Sequence, residues 1–450
     1  MKKIVPLVVL LLFLAAPAAP PAGAAPEAPP FKIGLAKVDL TPDPAKSPIT
    51  LNGYGARSRR PATGVLDPIY ARAMVIEDPA GRLVALVSLD LCFVNEEVFD
   101  TVVERLRGLG VTEHNLLLAG THTHDAPSAY DRRWIATAIM GAYDPQIFAQ
   151  VVDGTVRAVE QAFAARREAV LRYDVSELPG MNRSRRDPAF DVGVGGFDPA
   201  SAIKPNPEKY PTDRRLTILR ADDPQGNTFG VFVRYSAHPT ILSPENMKIS
   251  ADWPGVMTAR LEAKLGAGAV AMFVNGAEGD AAPLPDWSNP EQEIRDMREY
   301  GDKMAAAVEA RLPAAQPMTA RFVAGHTTRR ALGKVILRPF GGMPMNPGFA
   351  RVLYLRPDQP FQALRIGPLM LLAVPGEPTT ATGQELEALC GGDVQCLTVG
   401  PANGYQGYFV TPAEYDEGGY QADSCFYGKN AVAKIRDAMK QSVRIVSVRP

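Results

Sequence analysis

The sequence predicts an α/β fold in which a mixed β-sheet core is flanked by helices. Short apolar runs alternate with amphipathic stretches along the chain, which is the pattern of strands alternating with helices. The chain has 450 residues, of which 46% are hydrophobic, and this is ordinary for a packed globular protein. Neither an internal repeat nor a long linker interrupts the pattern. We therefore predict a single large domain.

The predicted elements of the first half begin with a buried strand over residues 83–89, followed by a helix that begins at Asn95. Residues 115–119 form a second apolar run of strand length. Asp144 and Pro145 are typical of a helix N-cap and first turn. They predict a helix that continues to about residue 165.

In the second half, residues 216–220 and 230–236 flank a turn-rich segment and predict a hairpin. Further along the chain, the pattern predicts a helix over 252–265, a strand over 269–274, a helix capped by Asn289 and Pro290 that runs to 312, a strand over 367–374 and a helix over 431–441.

The N-terminus has the features of an export signal. Lys2 and Lys3 precede an apolar run over residues 4–16, and Ala22-Gly23-Ala24 supplies small residues for cleavage. We expect a signal peptide over 1–24, a flexible lead-in over 25–32 and the folded domain over 33–450, in a secreted or periplasmic protein. The apolar run is shorter than the roughly 20 residues that span a bilayer, so we predict no transmembrane segment.

Charge and cysteine content exclude several classes. A net charge of -1 argues against a nucleic-acid partner held by bulk charge. We interpret the basic clusters at residues 57–60 and 183–186 as solvated loops, except for Arg183. Cys390 and Cys396 could close a small loop by a disulfide in an oxidising compartment. Cys92 lies in an apolar run, which indicates a buried thiol.

Ligand-type residues follow several of the predicted strands, and ligand sites in open α/β sheets form beyond the carboxyl ends of strands. Only five histidines exist, and three of them follow strands. The residues at these strand ends are Asp90, His122, His124, His238, Glu278, Asp280 and Glu377. We therefore predict that they converge on one site.

The segment His122-Thr123-His124 suggests a metal ligand pair. In extended backbone, positions i and i+2 face the same way, so both rings could reach one cavity. Zinc favours imidazole and carboxylate ligands and keeps one position open in catalytic sites. Two histidines at this spacing are by themselves a weak signal, however, because a histidine is more often structural than a metal ligand.

Four segments occur in the order found in one enzyme family. They are Thr121-His122-Thr123-His124, Ala237-His238-Pro239-Thr240, Val374-Pro375-Gly376-Glu377 and Tyr405-Gln406-Gly407-Tyr408-Phe409-Val410-Thr411. Together they resemble the neutral ceramidases, the neutral/alkaline non-lysosomal amidases of N-acylsphingosines. Residues 34–42, Asn182-Arg183-Ser184 and Gly279-Asp280 also resemble family landmarks. The similarity runs from about residue 33 to the C-terminus.

The resemblance implies a catalytic domain with one Zn²⁺ ion at the strand ends, bound by four residues: His122, His238, Glu377 and Tyr408. It implies that His124 faces the substrate, donating to the amide oxygen or helping to protonate the leaving amine. Glu377 could also act as general base, and Tyr408 belongs to the catalytic group. Arg183 and Tyr405 are implied to bind substrate. Metal-bound histidines usually donate their other N–H to a carboxylate or carbonyl, and Asp90 and Asp280 are candidates for this.

Some of these residues could have a purely structural role instead of a functional one. Glu377 could cap a helix that begins near Thr379, and tyrosines in a Gly-rich turn often simply pack. We expect His114 and His326 to be structural.

The sequence departs from the family at two places that bear on substrate. Ala282 stands directly before a proline where the resemblance expects a serine assigned to nucleophilic or substrate contact, so a zinc-activated water would have to attack. The resemblance covers only the catalytic part of the family, so we expect the additional C-terminal β-sandwich domain to be absent.

We therefore expect an exported zinc-dependent amidohydrolase that cleaves the N-acyl bond of ceramide or a related lipid amide, with peripheral membrane contact during catalysis. The alternatives are a zinc hydrolase of another exported amide or ester, or an inactive lipid-binding homologue.

Overall fold

A computed structural model describes residues 30–190, 204–284, 292–337, 343–344 and 358–448. The signal peptide predicted over 1–24 lies outside these residues, as do Asn289 and Pro290. The described strands are β1 (Phe31–Asp39), β2 (Gly64–Val65), β3 (Tyr70–Glu77), β4 (Leu83–Leu89), β5 (Leu116–Gly120), β6 (Arg167–Glu177), β7 (Asn182–Ser184), β8 (Arg215–Asp222), β9 (Thr228–Tyr235), β10 (Lys248–Ile249), β11 (Val270–Asn275), β12 (Ala281–Pro283), β13 (Gln316–Pro317), β14 (Val323–Ala331), β15 (Ile336–Leu337), β16 (Met343–Pro344), β17 (Asp358–Ile366), β18 (Leu369–Ala373), β19 (Glu377–Pro378), β20 (Gln395–Val399) and β21 (Tyr408–Phe409).

The described α-helices are α1 (Glu96–Leu106), α2 (Trp134–Met140), α3 (Pro145–Ala164), α4 (Asp252–Leu265), α5 (Glu293–Arg311), α6 (Thr380–Glu387), α7 (Pro412–Glu417), α8 (Tyr420–Asp423) and α9 (Ala431–Ser447). Short 3₁₀ turns occupy Gly55–Arg57, Arg107–Leu109, Pro188–Phe190 and Leu312–Ala314. Of the described helices, none combines the length and the hydropathy of a membrane-spanning segment.

Two stacked sheets form the centre of the molecule. The larger sheet has nine strands in the order β11-β9-β8-β6-β1-β3-β4-β5, with β13 added beside β6. The smaller has the order β14-β17-β18-β20. Parallel pairs occur at β4/β5, β9/β11 and β18/β20, whereas the other pairs in the two sheets are antiparallel. The mixed α/β fold predicted from the sequence is confirmed.

Alternation along the strands explains the layering, because successive side chains of a strand face opposite sides of its sheet. In β4, Val84 and Leu86 face the smaller sheet and share a core with Leu371. The intervening Ala85 and Val87 face a second core that includes residues of α1 and α3. The larger sheet is therefore buried on both faces there.

Helices complete the outer layers. Helices α4 and α5 cover the outer face of β8, β9 and β11, and α9 covers the outer face of the smaller sheet. The resulting order is helices, large sheet, small sheet, helices.

Local signals in the sequence account for several helix starts. The Asn95 side chain accepts from the backbone N–H of Val98 at the start of α1, and the Asp144 side chain accepts from that of Gln146 at the start of α3. Both helices begin where the sequence predicts. These side chains satisfy amide groups that have no partner within the helix.

The predicted boundaries differ from the structure at several places. The final helix continues to Ser447, because the buried stripe extends through Val443 and Val446. The strand predicted over 367–374 begins at Leu369, since Gly367 has φ 56 and lies in the turn after β17. Strand β1 already includes residues 31 and 32, which the sequence predicts to be part of the flexible lead-in.

We predict that Gly34→Ala destabilises the fold. A Cβ at this position of β1 would lie 1.9 Å from the carbonyl oxygen of Ala162 in α3, so the helix would have to move away from the sheet. We expect a loss of about 1–3 kcal/mol in the free energy of unfolding, the range for overpacking a core, measured by chemical denaturation.

Gly108→Ala is the matched control, because a Cβ there meets no atom within 4 Å. Equal stability of the two variants would contradict the close packing of α3 on β1.

Candidate metal centre

Three segments that follow buried strands bring His122, His238 and Glu377 together. His122 follows β5, His238 lies shortly after β9, and Glu377 begins β19 just beyond β18. The Oε2 atom of Glu377 lies 3.1 Å from Nε2 of His238 and 3.6 Å from Nε2 of His122. All three side chains are buried. The two histidines thus follow strands of the larger sheet, and the carboxylate follows strand β18 of the smaller sheet.

These donor atoms fit a metal ion. Zinc bonds to nitrogen and oxygen of about 2.0–2.1 Å place tetrahedral ligand atoms roughly 3.4 Å apart, close to the two separations at Glu377. The three ligand atoms lie within 4.8 Å of one another. Two imidazoles and one carboxylate are also a donor set of the kind used by catalytic zinc sites.

Backbone carbonyls fix the orientation of both histidines. Nδ1 of His122 lies 2.7 Å from the carbonyl oxygen of Cys92, and Nδ1 of His238 lies 3.0 Å from that of Ala281. A carbonyl only accepts, so each Nδ1 carries the hydrogen and each Nε2 presents a lone pair to the site.

The proposed role of Asp90 and Asp280 beside the histidines is wrong. Asp90 accepts from Arg72 and from the backbone N–H of Tyr70. Asp280 accepts from the backbone N–H and the hydroxyl of Thr380. Their carboxylates are therefore occupied elsewhere, and carbonyls take the histidine N–H groups.

His124 lies beside His122 for a reason other than strand alternation. His122 has φ 74, in the left-handed region, so the segment is not extended. The two Nε2 atoms are nevertheless 3.3 Å apart. Burial and the neighbouring His122 and His238 hold the pKa of His124 well below its ordinary value.

A separate turn positions the His124 ring. Tyr54 packs edge-on against it with ring centroids 4.6 Å apart, and a Cβ on Gly53 would lie 2.2 Å from its Cγ. Arg57 donates to the carbonyl oxygen of His124 and to the carboxylate of Asp125. Arg57 is buried, so its interpretation as part of a solvated loop is wrong.

The carboxylate of Glu377 is held on its other oxygen by Tyr405, whose hydroxyl donates to Oε1 at 2.6 Å. The Tyr405 ring stacks on Phe93 with centroids 4.1 Å apart. Burial alone would raise the pKa of Glu377, but its contacts with His122, His238 and Tyr405 hold it below the ordinary value. The alternative role in helix capping is wrong, because Thr379 caps α6.

Tyr408 lies next to Glu377 because β21 pairs with β19 in parallel, with Tyr408 opposite Glu377. Its side chain is buried. Burial and the charge of Glu377 raise the pKa of the Tyr408 hydroxyl well above its ordinary value. The Tyr408 hydroxyl thus interacts with the carboxylate of Glu377 and is protonated in this arrangement.

Cys92 forms a second possible donor group with His122 and His124. Its Sγ lies 3.8 Å from Nδ1 of His122, the nitrogen that donates to the Cys92 carbonyl. The thiol is therefore on the side of the ring away from Glu377 and does not share the first donor group. Its burial agrees with the sequence prediction.

Arg185 is the residue that sequence reasoning missed. Its Nη1 lies 3.0 Å from Nε2 of His238 and donates to the Tyr408 hydroxyl at 3.3 Å. Arg183, predicted at the pocket, is buried in β7 opposite Ala282 of β12. The available signal was the basic run over residues 183–186, in which Arg185 follows the family landmark Asn182-Arg183-Ser184 directly.

The remaining predicted residues lie elsewhere. His114 and His326 stack on each other with centroids 4.9 Å apart, and His326 is within β14. Glu278 is buried, and its carboxyl oxygens have no hydrogen-bond partner among the described residues. Cys390 and Cys396 form a disulfide.

A comparison with protein families covers most of the chain. The family model described as "Neutral/alkaline non-lysosomal ceramidase, N-terminal" matches residues 31–326 and 334–437. The chain belongs to this family.

Individual relatives have low sequence identity to the chain, but their alignments cover most of it. A neutral ceramidase of Mycobacterium tuberculosis is 28% identical, over 91% of this chain and 77% of that protein. A neutral ceramidase of Pseudomonas aeruginosa is also 28% identical, over 71% of this chain and 46% of that protein. The crystal structure of neutral ceramidase from P. aeruginosa superposes with a TM-score of 0.78 at 24% identity, over 94% of this chain and 75% of that one. This structural likeness establishes the shared fold.

We predict that the metal-free protein loses stability as the pH falls from 7 to 4. Burial, with a further contribution from Arg185, lowers the pKa of His238 from 6.5 to about 4. Between these values the unfolded chain binds a proton that the folded chain does not, so stability is present above pH 6.5 and is lost on acidification. The contribution of His238 is of the order of 3 kcal/mol.

The measurement is thermal denaturation of chelator-treated protein at a series of pH values. His238→Asn should flatten the acid side of the profile, whereas His114→Asn, at an exposed histidine, should leave it unchanged. An unaltered profile in His238→Asn would show that this histidine titrates normally.

Proposed function

We propose that the protein is a zinc-dependent amidohydrolase that cleaves the N-acyl amide bond of ceramide or a related lipid amide. The observation that carries the proposal is the convergence of His122, His238 and Glu377, with both imidazole tautomers fixed by carbonyls. Family membership and the names of the relatives support the reaction class.

In this proposal, one Zn²⁺ is bound by His122, His238, Glu377 and Tyr408. When bound, zinc supplies Lewis acidity that polarises an amide carbonyl and lowers the pKa of a water molecule to about 7. Tyr405 keeps the carboxylate of Glu377 oriented through the hydrogen bond to Oε1. The low pKa of Glu377 keeps this carboxylate ionised, as a ligand or a general base requires.

We assign His124 to the substrate side. Its lowered pKa keeps the imidazole neutral near pH 7. A neutral ring donates a hydrogen bond to an amide oxygen more readily than it delivers a proton, so we favour stabilisation of the carbonyl oxygen over protonation of the leaving amine. Gly53 and Tyr54 hold the ring for this task.

The nucleophile in this proposal is water. Ala282 occupies the position where the resemblance expects serine, and its methyl group has neither a nucleophilic atom nor a hydrogen-bond donor. It lies buried in β12, opposite Arg183 of β7. We retain Arg183 as a residue that binds the polar head group.

We further propose that the protein is exported through residues 1–24 and that residues 33–450 form the catalytic domain. The disulfide between Cys390 and Cys396 supports an oxidising compartment, because disulfides persist in secreted and periplasmic proteins. Peripheral contact with a membrane would deliver the lipid amide.

The substitution at Ala282 favours a second candidate, a zinc hydrolase of another exported amide or ester. An inactive lipid-binding homologue is the less favoured reading, because a binding pocket does not require the complete donor set of two histidines and one glutamate.

The proposed function predicts one zinc per chain and release of fatty acid from ceramide. His122→Ala should lower both metal content and kcat/KM by at least about a hundredfold, since a metal site that loses one of its ligands loses affinity and catalysis. Elemental analysis and mass spectrometry of the products on a panel of N-acyl lipids provide the measurement.

His114→Ala is the control for a histidine remote from the site. A protein without stoichiometric metal would refute the proposal. Turnover of short acyl amides with none on ceramide would favour the second candidate.

We also predict that Gly53→Ala lowers kcat by about tenfold or more with unchanged zinc content. The new Cβ would displace the His124 ring from its position, while His122, His238 and Glu377 remain in place. Loss of a positioned hydrogen-bond donor to a developing oxyanion costs about a hundredfold in other enzymes.

Gly81→Ala is a matched control, because Gly81 has φ 80 against φ 82 for Gly53 but open space around its Cβ. Equal kcat values in the two variants would contradict the role of the His124 ring position.

A further inference from the structure

Arg185 brings a guanidinium group to the edge of the candidate metal centre. Its backbone N–H donates to the carbonyl oxygen of Asp280 at 2.6 Å, which anchors the residue. Its Nη1 contacts His238 and Tyr408, and its Cζ lies 5.4 Å from the ring centroid of Tyr420. The residue is partly exposed, and Tyr420 is 53% exposed. This arginine therefore lies between the donor atoms and solvent.

The neighbouring arginine has a different environment. Arg186 donates to Glu417 at 3.0 Å and to the carbonyl oxygens of Glu414 and Gly418, which ties it to α7. No carboxylate of the described residues lies within ion-pairing distance of Arg185. Among the described residues, Arg186 is therefore paired with a carboxylate, whereas Arg185 has its contacts with His238 and Tyr408.

A bound metal makes this difference important. Nε2 of His238 has a single lone pair, because Nδ1 carries the hydrogen. Arg185 and a metal ion cannot both use that lone pair. Loading the site therefore deprives Arg185 of its acceptor on His238, and the guanidinium needs another one.

The charges of the loaded site lead to the same requirement. Glu377 supplies one negative charge, whereas a divalent metal and Arg185 supply three positive ones. A guanidinium stays charged at all relevant pH values and is costly to desolvate without a counter-ion. A substrate with a neutral head group cannot provide the counter-ion, but one with a carboxylate can.

We propose that Arg185 binds a carboxylate on the amine half of the substrate, so that the preferred substrates are N-acyl amino acids. The proposal rests on the proposed amide hydrolysis. Arg185 touches an atom of the donor set, so its anion must lie close to the scissile bond. In an N-acyl amino acid, one carbon separates the amide nitrogen from the carboxylate, and a guanidinium can bind this carboxylate with two parallel hydrogen bonds.

The reaction balances with water as the only co-reactant. The water oxygen bonds to the acyl carbon and the C–N bond breaks. One proton of the water goes to the leaving nitrogen. The products are a fatty acid and a free amino acid, whose carboxylate remains on Arg185 until release.

The test compares N-lauroylglycine with N-lauroylethanolamine, which share the acyl chain and differ in the terminal carboxylate. With the metal-loaded full chain, we expect kcat/KM for the glycine amide to exceed that for the ethanolamine amide by about tenfold or more. Arg185→Gln should reduce it by about 10–100-fold on the acid, the range for a charged hydrogen-bonded contact, and by less than about threefold on the neutral amide.

Two further variants control for charge and folding. Arg185→Lys keeps the charge without the paired hydrogen bonds and should recover part of the preference. Arg186→Gln removes the neighbouring cation and should keep the full preference. Equal losses on both substrates in Arg185→Gln would overturn the proposal.

Calorimetric titration of the two amides into the zinc-loaded full chain with His124→Ala, which keeps the donor set and slows hydrolysis, gives a readout that does not depend on turnover. We expect tighter binding of N-lauroylglycine, lost in Arg185→Gln. If neither amide is hydrolysed, this selective binding would still support the role of Arg185 while the proposed hydrolysis fails. Hydrolysis of both amides without selectivity in rate or binding would refute the role of Arg185 and leave the hydrolysis standing.

Discussion

The buried carboxylate of Glu377 is the group on which the rest of the site depends. Its Oε1 atom accepts from the Tyr405 hydroxyl, and its Oε2 atom faces Nε2 of His238 and of His122, where a metal ion would neutralise the charge. A buried charge without such partners is strongly unfavourable. Because the histidines follow strands of the large sheet and Glu377 follows a strand of the small one, the site exists only when the two sheets are stacked. The apolar core between the sheets therefore also positions the donor atoms.

The sequence predicts the parts of this fold that have local signals. Strand β4, the caps at Asn95 and Asp144 and the hairpin of β8 and β9 follow from apolar runs and turn residues. The stacking of two sheets and the placement of β1 between β3 and β6 depend on pairing between distant segments, which local periodicity does not encode. The extra length of α9 was missed because residues 442–447 are mostly serine and β-branched residues, which are weaker helix formers than alanine or leucine.

The candidate site could likewise be predicted from the sequence only in part. The order of the motifs brings His122, His238 and Glu377 into one hypothesis, and the structure places them together. The partners of these residues could not be predicted, because backbone carbonyls have no side-chain signature. Charge clusters mislead for a related reason. Arg57 and Arg185 each lie in a basic run, but one is buried against Asp125 and the other faces the donor atoms, and composition alone does not separate these environments.

In our proposal, the pair formed by β7 and β12 connects substrate recognition to the candidate metal centre without supplying a ligand. Ala282 faces Arg183 across this pair, Arg185 follows β7 directly, and Ala281 provides the carbonyl that orients His238. In our proposal, changes at positions 183, 185 and 282 alter what the site binds while His122 and Glu377, which come from other segments, keep their geometry. This separation would let a chain retain the donor set and still differ in its preferred amide. The same backbone that fixes His238 carries the side chains that would select the substrate.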